Sequence, residues 1–182
     1  MRYWAGLLGV LSFVGVAQAQ DATMAVPGNY RDWVFLTSSM DLNYTTTVAP
    51  GQHMLDNVYV NPEAHKVFLA TGTWPDKTIL IKENRMAESA GTLSKAGHFQ
   101  AAVKNLEIHI KDERFPGKWA FFLSSDGKAP AELKPLSANC YSCHQDHAAV
   151  DTTFVQFYPT LFGIAKAKGT LSAAYLKETG AK

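Results

Sequence analysis

The feature that most constrains this chain is the pentapeptide Cys140-Tyr141-Ser142-Cys143-His144, which contains both cysteines of the sequence. Two thiols separated by two residues and followed directly by a histidine form the C-x-x-C-H signature of c-type haem attachment. The spacing suits this chemistry because each thiol can add to a vinyl group of one porphyrin while the histidine reaches the iron. The motif predicts one covalently attached haem c, bound by Cys140 and Cys143, with His144 as the metal ligand.

Three other chemistries can use the same residues. In an exported protein the two cysteines could form a disulfide, and C-x-x-C is also a thiol-redox motif. The redox motif usually accompanies a βαβ pattern, which this sequence does not show. A zinc site could use the cysteines with His144 or His147, but the second ligand pair of a usual structural zinc site is missing. The haem interpretation is therefore preferred.

The ligand on the opposite side of the iron would separate electron carriers from proteins that bind exogenous ligands. Carriers commonly use methionine at that position. The sequence offers several methionines and histidines, and composition does not select among them. The candidates are Met24, Met40, Met54, Met86, His53, His65, His98, His109 and His147.

The first 19 residues have the pattern of a secretory signal. Arg2 supplies the positive start, residues 5–16 form an apolar run, and Ala17-Gln18-Ala19 is a small-x-small cleavage site. We expect export to the periplasm and a mature chain of residues 20–182. The apolar run is shorter than the roughly 20 residues that a transmembrane helix needs.

Charge and length limit the class of protein. The sequence has 17 lysine and arginine residues against 16 aspartate and glutamate residues, and loss of Arg2 would make the two counts equal. This balance argues against a nucleic-acid binder, which would carry a basic excess. A chain of this length can bury roughly 70% of its unfolded surface in one domain. We expect a flexible arm over residues 20–29 and a single domain over residues 30–182.

Short alternating apolar runs separated by turns predict an antiparallel sheet, and the segment after residue 139 has a helical character. The expected fold class is therefore α+β: an antiparallel, sheet-rich single domain with short helices and a helical carboxyl-terminal segment that binds the haem. Strands are predicted at residues 58–60, 78–83, 106–111 and 119–123. Helices are predicted at residues 63–71, after an Asn61 cap and Pro62, at 145–149, and from Pro159 to just before Gly169.

Six further segments occur in a characteristic order and spacing: Tyr30-Arg31-Asp32-Trp33, Val58-Tyr59-Val60-Asn61-Pro62, Thr71-Gly72-Thr73-Trp74-Pro75-Asp76, Ile81-Lys82-Glu83, Trp119-Ala120-Phe121, and Asp151 through Phe157-Tyr158-Pro159. With these segments the chain resembles the cytochrome P-460 and cytochrome c-prime-beta superfamily over about residues 30–168. The resemblance implies a compact, sheet-rich α+β domain, usually a homodimer, with a five-coordinate haem.

The resemblance also implies two contrasting activities. In the cross-linked members a lysine bonds to the porphyrin edge, and the protein oxidises hydroxylamine with an external electron acceptor. In the c-prime-beta members that bond is absent, and an apolar pocket capped by phenylalanine binds NO or CO. Lys82 falls at the position of the cross-linking lysine, and Phe35 and Phe68 are the candidates for the cap.

Each of these assignments has a plainer alternative. Lys82 shares a strand face with Leu80, but it could instead reach solvent or pair with Glu83 or Asp76. The two phenylalanines could be ordinary core residues.

One departure from the resemblance weakens the enzymatic expectation. Members that oxidise hydroxylamine need a carboxylate near the bound substrate to accept protons. The segment before the haem motif, Leu136-Ser137-Ala138-Asn139, carries no acid. Asp126 or Glu132 could substitute. The leading hypothesis is an exported monohaem cytochrome that binds small nitrogenous ligands and passes electrons to a soluble acceptor. A non-enzymatic NO or CO binder is the alternative, and a six-coordinate electron-transfer cytochrome ranks third.

Overall fold

The computed structural model describes residues 22–42, 47–49, 51–89 and 96–180. The expected secretory signal, residues 1–19, lies outside the described residues. Among the helices of the described segments, none is long and apolar enough to cross a membrane.

The described chain forms one seven-stranded sheet in the order β1-β7-β6-β5-β4-β3-β2, and every neighbouring pair of strands is antiparallel. Four short helices accompany the sheet, so the expected α+β fold is confirmed. The strands are β1 (Thr23–Met24), β2 (Val34–Met40), β3 (Met54–Val60), β4 (Ile79–Glu88), β5 (Phe99–Lys111), β6 (Trp119–Ser124) and β7 (Ala131–Leu133). The helices are α1 (Pro62–Thr71), α2 (Asn139–His147), α3 (Pro159–Lys168) and α4 (Ala173–Thr179).

Helix α1 occupies the predicted position, with Pro62 in its first turn and Gly72 ending it at a φ of 76°. Asn61 occupies the predicted N-cap position, but its side chain does not cap the helix. The side chain of Asn61 makes no capping hydrogen bond, and its Oδ1 instead accepts the backbone N–H of Ile79 at 2.8 Å. Asn61 therefore ties the start of α1 to the first residue of β4.

The haem motif lies inside helix α2, which begins before the helical turn predicted at residues 145–149 and includes its first three residues. The helix begins at Asn139 and ends at His147, so it includes both cysteines. None of its residues is fully buried, and it therefore lacks the apolar periodicity by which a helix is recognised in sequence. The two predicted α3 boundaries, Pro159 and Gly169, are confirmed.

The two faces of the sheet bury different side chains. Residues that oppose one another across strands share a face, so Val60, Leu80, His109 and Phe121 lie on one side, which we call the helix-side face. This face packs on α1 and α3 in a core that includes Phe68 and Leu161. The opposite face packs Tyr30 and the amino-terminal segment over a second core, which includes Ile81, Leu106, Ile108 and Phe122. Lys82 is two residues from Leu80 and therefore lies on the helix-side face.

Candidate functional site

Helix α2 holds the two cysteines one turn apart, so Cys140 and Cys143 lie on the same side of the helix. Both belong to the described part of the chain, and no disulfide joins them. Burial raises the pKa of the Cys140 thiol. Within the described residues, no group of three or more His, Cys, Asp or Glu side chains is arranged to hold a metal ion. The disulfide and zinc interpretations therefore gain no support.

The ring of His144 is fixed by one hydrogen bond. Its Nδ1 lies 2.7 Å from the backbone carbonyl oxygen of Thr152, and a carbonyl can only accept, so Nδ1 carries the proton. Nε2 is then the unprotonated nitrogen that an iron would require. Burial lowers the pKa of His144, which keeps the imidazole neutral. The loop that follows α2 thus orients the predicted metal ligand. The spacing of residues in the sequence does not predict this contact between Thr152 and His144.

Aromatic rings surround His144 on the sheet side. Its ring centroid lies 4.6 Å from that of Phe121 and 4.2 Å from that of Phe154. Helix α2 is anchored on the same strand, because the hydroxyl of Tyr141 accepts the backbone N–H of Phe121 at 3.3 Å. The motif helix is therefore attached to β6 on the helix-side face.

His109 was one of the candidates for the opposite axial ligand, and the structure places it beside His144 instead. The two ring centroids are 5.0 Å apart, and His109 stacks on Phe121 at 3.9 Å. Burial lowers the pKa of His109 well below its usual value, so it is a neutral imidazole. A residue in contact with His144 cannot reach the other side of an iron that His144 binds. His53 and His147 are each paired with a carboxylate, of Asp41 and Glu178 respectively.

Lys82 is brought to the face on which α2 sits. It opposes Glu107 across the β4–β5 pair. The charge of Glu107 raises the pKa of His144, and the charge of Lys82 lowers it. The Nζ atom lies 3.7 Å from Oδ2 of Asp56 and 3.6 Å from Oε1 of Glu107. Lys82 pairs with neither Glu83 nor Asp76. Side chains alternate along β4, so Glu83 faces the second core, and Asp76 is paired with Lys77 at 3.3 Å.

Polar side chains continue from Lys82 along the helix-side face. Asn84 donates from Nδ2 to Oε1 of Glu107 at 2.7 Å and to Oδ1 of Asn105 at 2.5 Å. Asp56 and Asn84 are both buried, and the Oδ1 atom of each has no hydrogen-bond partner. Buried polar atoms without protein partners are uncommon, and a functional role or a bound group is among their explanations. The surface next to the predicted haem position is thus polar as well as aromatic.

The two candidate cap residues lie elsewhere. Phe35 is 52% exposed on the sheet face opposite Lys82, where its ring contacts Tyr59 at 5.8 Å. Phe68 is fully buried in the α1 core, 4.2 Å from the ring of Trp74. These placements give the capping roles no support, and the roles stay predictions.

The two acids proposed as substitutes for the missing carboxylate are surface residues. Asp126 accepts the backbone N–H groups of Lys128 and Ala129 at 2.8 and 2.7 Å, so it serves its own turn. Glu132 is exposed on the short strand β7. Asp56 was not among the sequence candidates, although it is the buried carboxylate nearest Lys82. Only the strand register brings these two positions together.

The donor set fits a haem: two thiols on one helical turn, a neutral histidine with Nε2 available, surrounding aromatic rings, and unpartnered polar atoms on the facing sheet. Such a set of residues is what a haem-binding cytochrome needs. The family model described as Cytochrome P460 matches residues 27–155, which include Lys82 and the whole haem motif. The chain belongs to this family, and the resemblance that its sequence motifs indicated is confirmed. No curated protein matches the chain.

Proposed function

We propose that this protein is an exported monohaem c-type cytochrome that oxidises hydroxylamine to nitrogen oxides and passes the electrons to a soluble acceptor. In this proposal Cys140 and Cys143 would hold one haem c covalently, and His144 would be the residue that binds its iron. The observation that carries the proposal is the polar surface around Lys82 on the same sheet face as His144. A nitrogenous substrate with N–H and O–H bonds requires polar partners, whereas an apolar pocket favours NO or CO.

The chain's residues have separate roles in this proposal. The haem, when bound, supplies an iron that can coordinate the substrate nitrogen and accept its electrons. Cys140 and Cys143 on α2 would keep the group attached, and the Thr152 carbonyl fixes the His144 ring so that its Nε2 would be the iron ligand. Phe121 and Phe154 exclude water from the His144 side. Lys82 is assigned to the porphyrin edge, as the family resemblance implies.

A steady-state assay separates the two classes of function. Purified holoprotein is mixed with hydroxylamine and an artificial electron acceptor, and reduction of the acceptor is followed by absorbance. We expect turnover that depends on both reagents. A holoprotein that binds NO or CO, as judged from its absorption spectrum, but reduces no acceptor would establish the gas-binding alternative instead.

Export to the periplasm is a further part of the proposal, supported by the pattern of residues 1–19. Mass analysis of the protein recovered from a periplasmic fraction tests it, and we expect a mature chain that begins at Gln20. Recovery of the uncleaved chain from the cytoplasm would contradict export.

A homodimer is also proposed. Phe35 is exposed beside the half-buried Tyr59, so the sheet face opposite Lys82 presents aromatic surface that a second copy could cover. Sedimentation of the holoprotein tests this, and we expect the mass of two chains. A Phe35→Ser variant should shift the distribution toward one chain.

A further inference from the structure

We propose that Asp56 is the proton acceptor of the ligand site and that it deprotonates a nitrogenous ligand carrying N–H or O–H bonds, such as hydroxylamine. The inference rests on the proposed function and deepens it by assigning the carboxylate that the haem-motif segment lacks. It is carried by the position and burial of Asp56.

Asp56 lies on β3, which is the second strand from the edge of the sheet and lies between β2 and β4. Its side chain is 2% exposed, and its two oxygens have different surroundings. Oδ2 accepts the hydroxyl of Ser39 at 3.2 Å and lies 3.7 Å from Nζ of Lys82. Oδ1 is buried and has no partner. A carboxylate oxygen placed in this way reduces stability unless another group uses it.

The unpartnered oxygens share one location. Asp56 opposes Asn84 across the β3–β4 pair, so both Oδ1 atoms lie on the helix-side face next to Lys82. This is the face to which the haem-motif helix is attached through Tyr141. Two acceptors with unused lone pairs therefore lie beside Lys82 on the sheet face that carries the haem-motif helix, where they could accept from a ligand with N–H or O–H donors.

The charge environment suits a base. Burial raises the pKa of the Asp56 carboxyl, and the ammonium of Lys82 and the Ser39 hydroxyl only partly oppose that effect. The carboxylate of Glu107, on β5, raises the pKa of Asp56 further. A base is most effective when its pKa approaches the working pH, so a raised carboxyl pKa is favourable.

The proton-transfer step is balanced without an additional reagent. An N–H or O–H bond of the bound ligand breaks, its electron pair stays on the ligand, and the proton joins Oδ1 of Asp56. The carboxylate becomes a neutral acid. Glu107 lies 3.6 Å from the same Lys82 Nζ and is 51% exposed, so polar groups lead from Asp56 toward solvent and allow the proton to leave.

The first test compares wild-type holoprotein with Asp56→Asn and with the control Glu63→Gln. The control removes a charge of the same sign from the exposed first turn of α1. Hydroxylamine oxidation is measured from pH 4 to pH 9. We expect Asp56→Asn to lower kcat by about 100-fold, within the range for a lost general base, and to abolish the fall in kcat at low pH under saturating hydroxylamine. Glu63→Gln should keep the wild-type profile.

The second test uses the thermal unfolding of the same holoproteins. The pKa of Asp56 is raised in the folded chain, so wild type loses stability as the pH rises from the ordinary range of a carboxyl through that raised pKa. Asp56→Asn lacks this loss. Its Tm should therefore rise relative to the Tm of wild type as the pH increases from 4 to 7. A residue that served only as an ion-pair partner of Lys82 would give the opposite trend.

The outcomes separate the two proposals. If wild type oxidises hydroxylamine and Asp56→Asn keeps its rate and pH profile, only the assignment of Asp56 is overturned. The assignment is also overturned if the Tm of Asp56→Asn falls relative to that of wild type as the pH rises. If wild-type holoprotein neither binds nor oxidises hydroxylamine, the proposed function fails together with this inference.

Discussion

Replacement of Glu83 by glutamine should destabilise the protein strongly while leaving the haem site intact. The Glu83 side chain is 1% exposed on the face opposite Lys82. Its Oε2 accepts the hydroxyl of Tyr30 and two guanidinium N–H groups of Arg31, at 2.8 and 2.5 Å, and Oε1 accepts from Arg85 at 2.5 Å. An amide would lose the charge and direct an NH₂ group at one set of donors.

The magnitude follows from the exposure of the partners. Breaking a buried charged network by removing one member typically costs about 3–5 kcal/mol. Because the Arg31 side chain is 52% exposed and can be solvated after the change, the lower end applies, about 3 kcal/mol. For a chain of this size that corresponds to a fall in Tm of roughly 6–12 °C.

Thermal and denaturant unfolding of the holoprotein measure the effect, and Glu113→Gln is the matched control. Glu113 pairs with Lys118 at 3.2 Å, and both side chains are well exposed. The loss of such a pair should cost less than about 1 kcal/mol. Equal Tm values for the two variants would refute the assignment of Glu83 as a central buried acceptor. An altered haem spectrum in Glu83→Gln would contradict the separation of the two sheet faces.

The stability contribution of Glu83 should also depend on pH. Burial alone would raise the pKa of Glu83, but its hydrogen-bond donors outweigh burial and hold that pKa below 4.5. The contribution is therefore fully present above pH 4.5 and is lost as the pH falls through the lower pKa of the folded protein. The stability difference between wild type and Glu83→Gln should shrink below pH 4.5. A difference that grows with acidity would contradict this sign.

Two further substitutions test the site and the fold. Lys82→Ala should change the absorption spectrum of the holoprotein. Lys66→Ala, at an exposed lysine, is the control and should leave the spectrum unchanged. Identical spectra for wild type and both variants would exclude a bond between Lys82 and the porphyrin. Gly72→Ala should lower the unfolding free energy by about 1–3 kcal/mol, because φ is 76° and the new Cβ would lie 2.8 Å from Cβ of Lys168. A denaturant titration measures the unfolding free energy. Gly28→Ala is the control, because a Cβ at Gly28 would meet no atom within 4 Å.

Local signals were sufficient to predict much of the fold. The alternation at residues 106–111 identified the carboxyl-terminal half of β5, and the strand predicted at residues 119–123 coincides with most of β6. Pro62 and Gly72 located α1 because each acts on its own stretch of backbone. Strand lengths were underestimated: β4 continues to Glu88 and β5 begins at Phe99, in stretches where polar residues and register shifts interrupt the alternation.

The site was predictable only where its chemistry is contiguous in sequence. Cys140, Cys143 and His144 could be identified because attachment and ligation require neighbouring residues. The partners of these residues are distant in sequence, since Thr152 reaches His144 through a loop and Asp56 reaches Lys82 only through strand register. Without a register, the chain does not indicate which of its carboxylates is buried beside the lysine.

The intact mass of the denatured protein tests the central claim most directly. Protein produced in a host competent in cytochrome maturation should carry the added mass of one haem and stain for haem on a denaturing gel. The double variant Cys140→Ala, Cys143→Ala should lose both the added mass and the stain. Wild-type protein that is recovered folded, colourless and at the mass of the polypeptide alone would contradict the account.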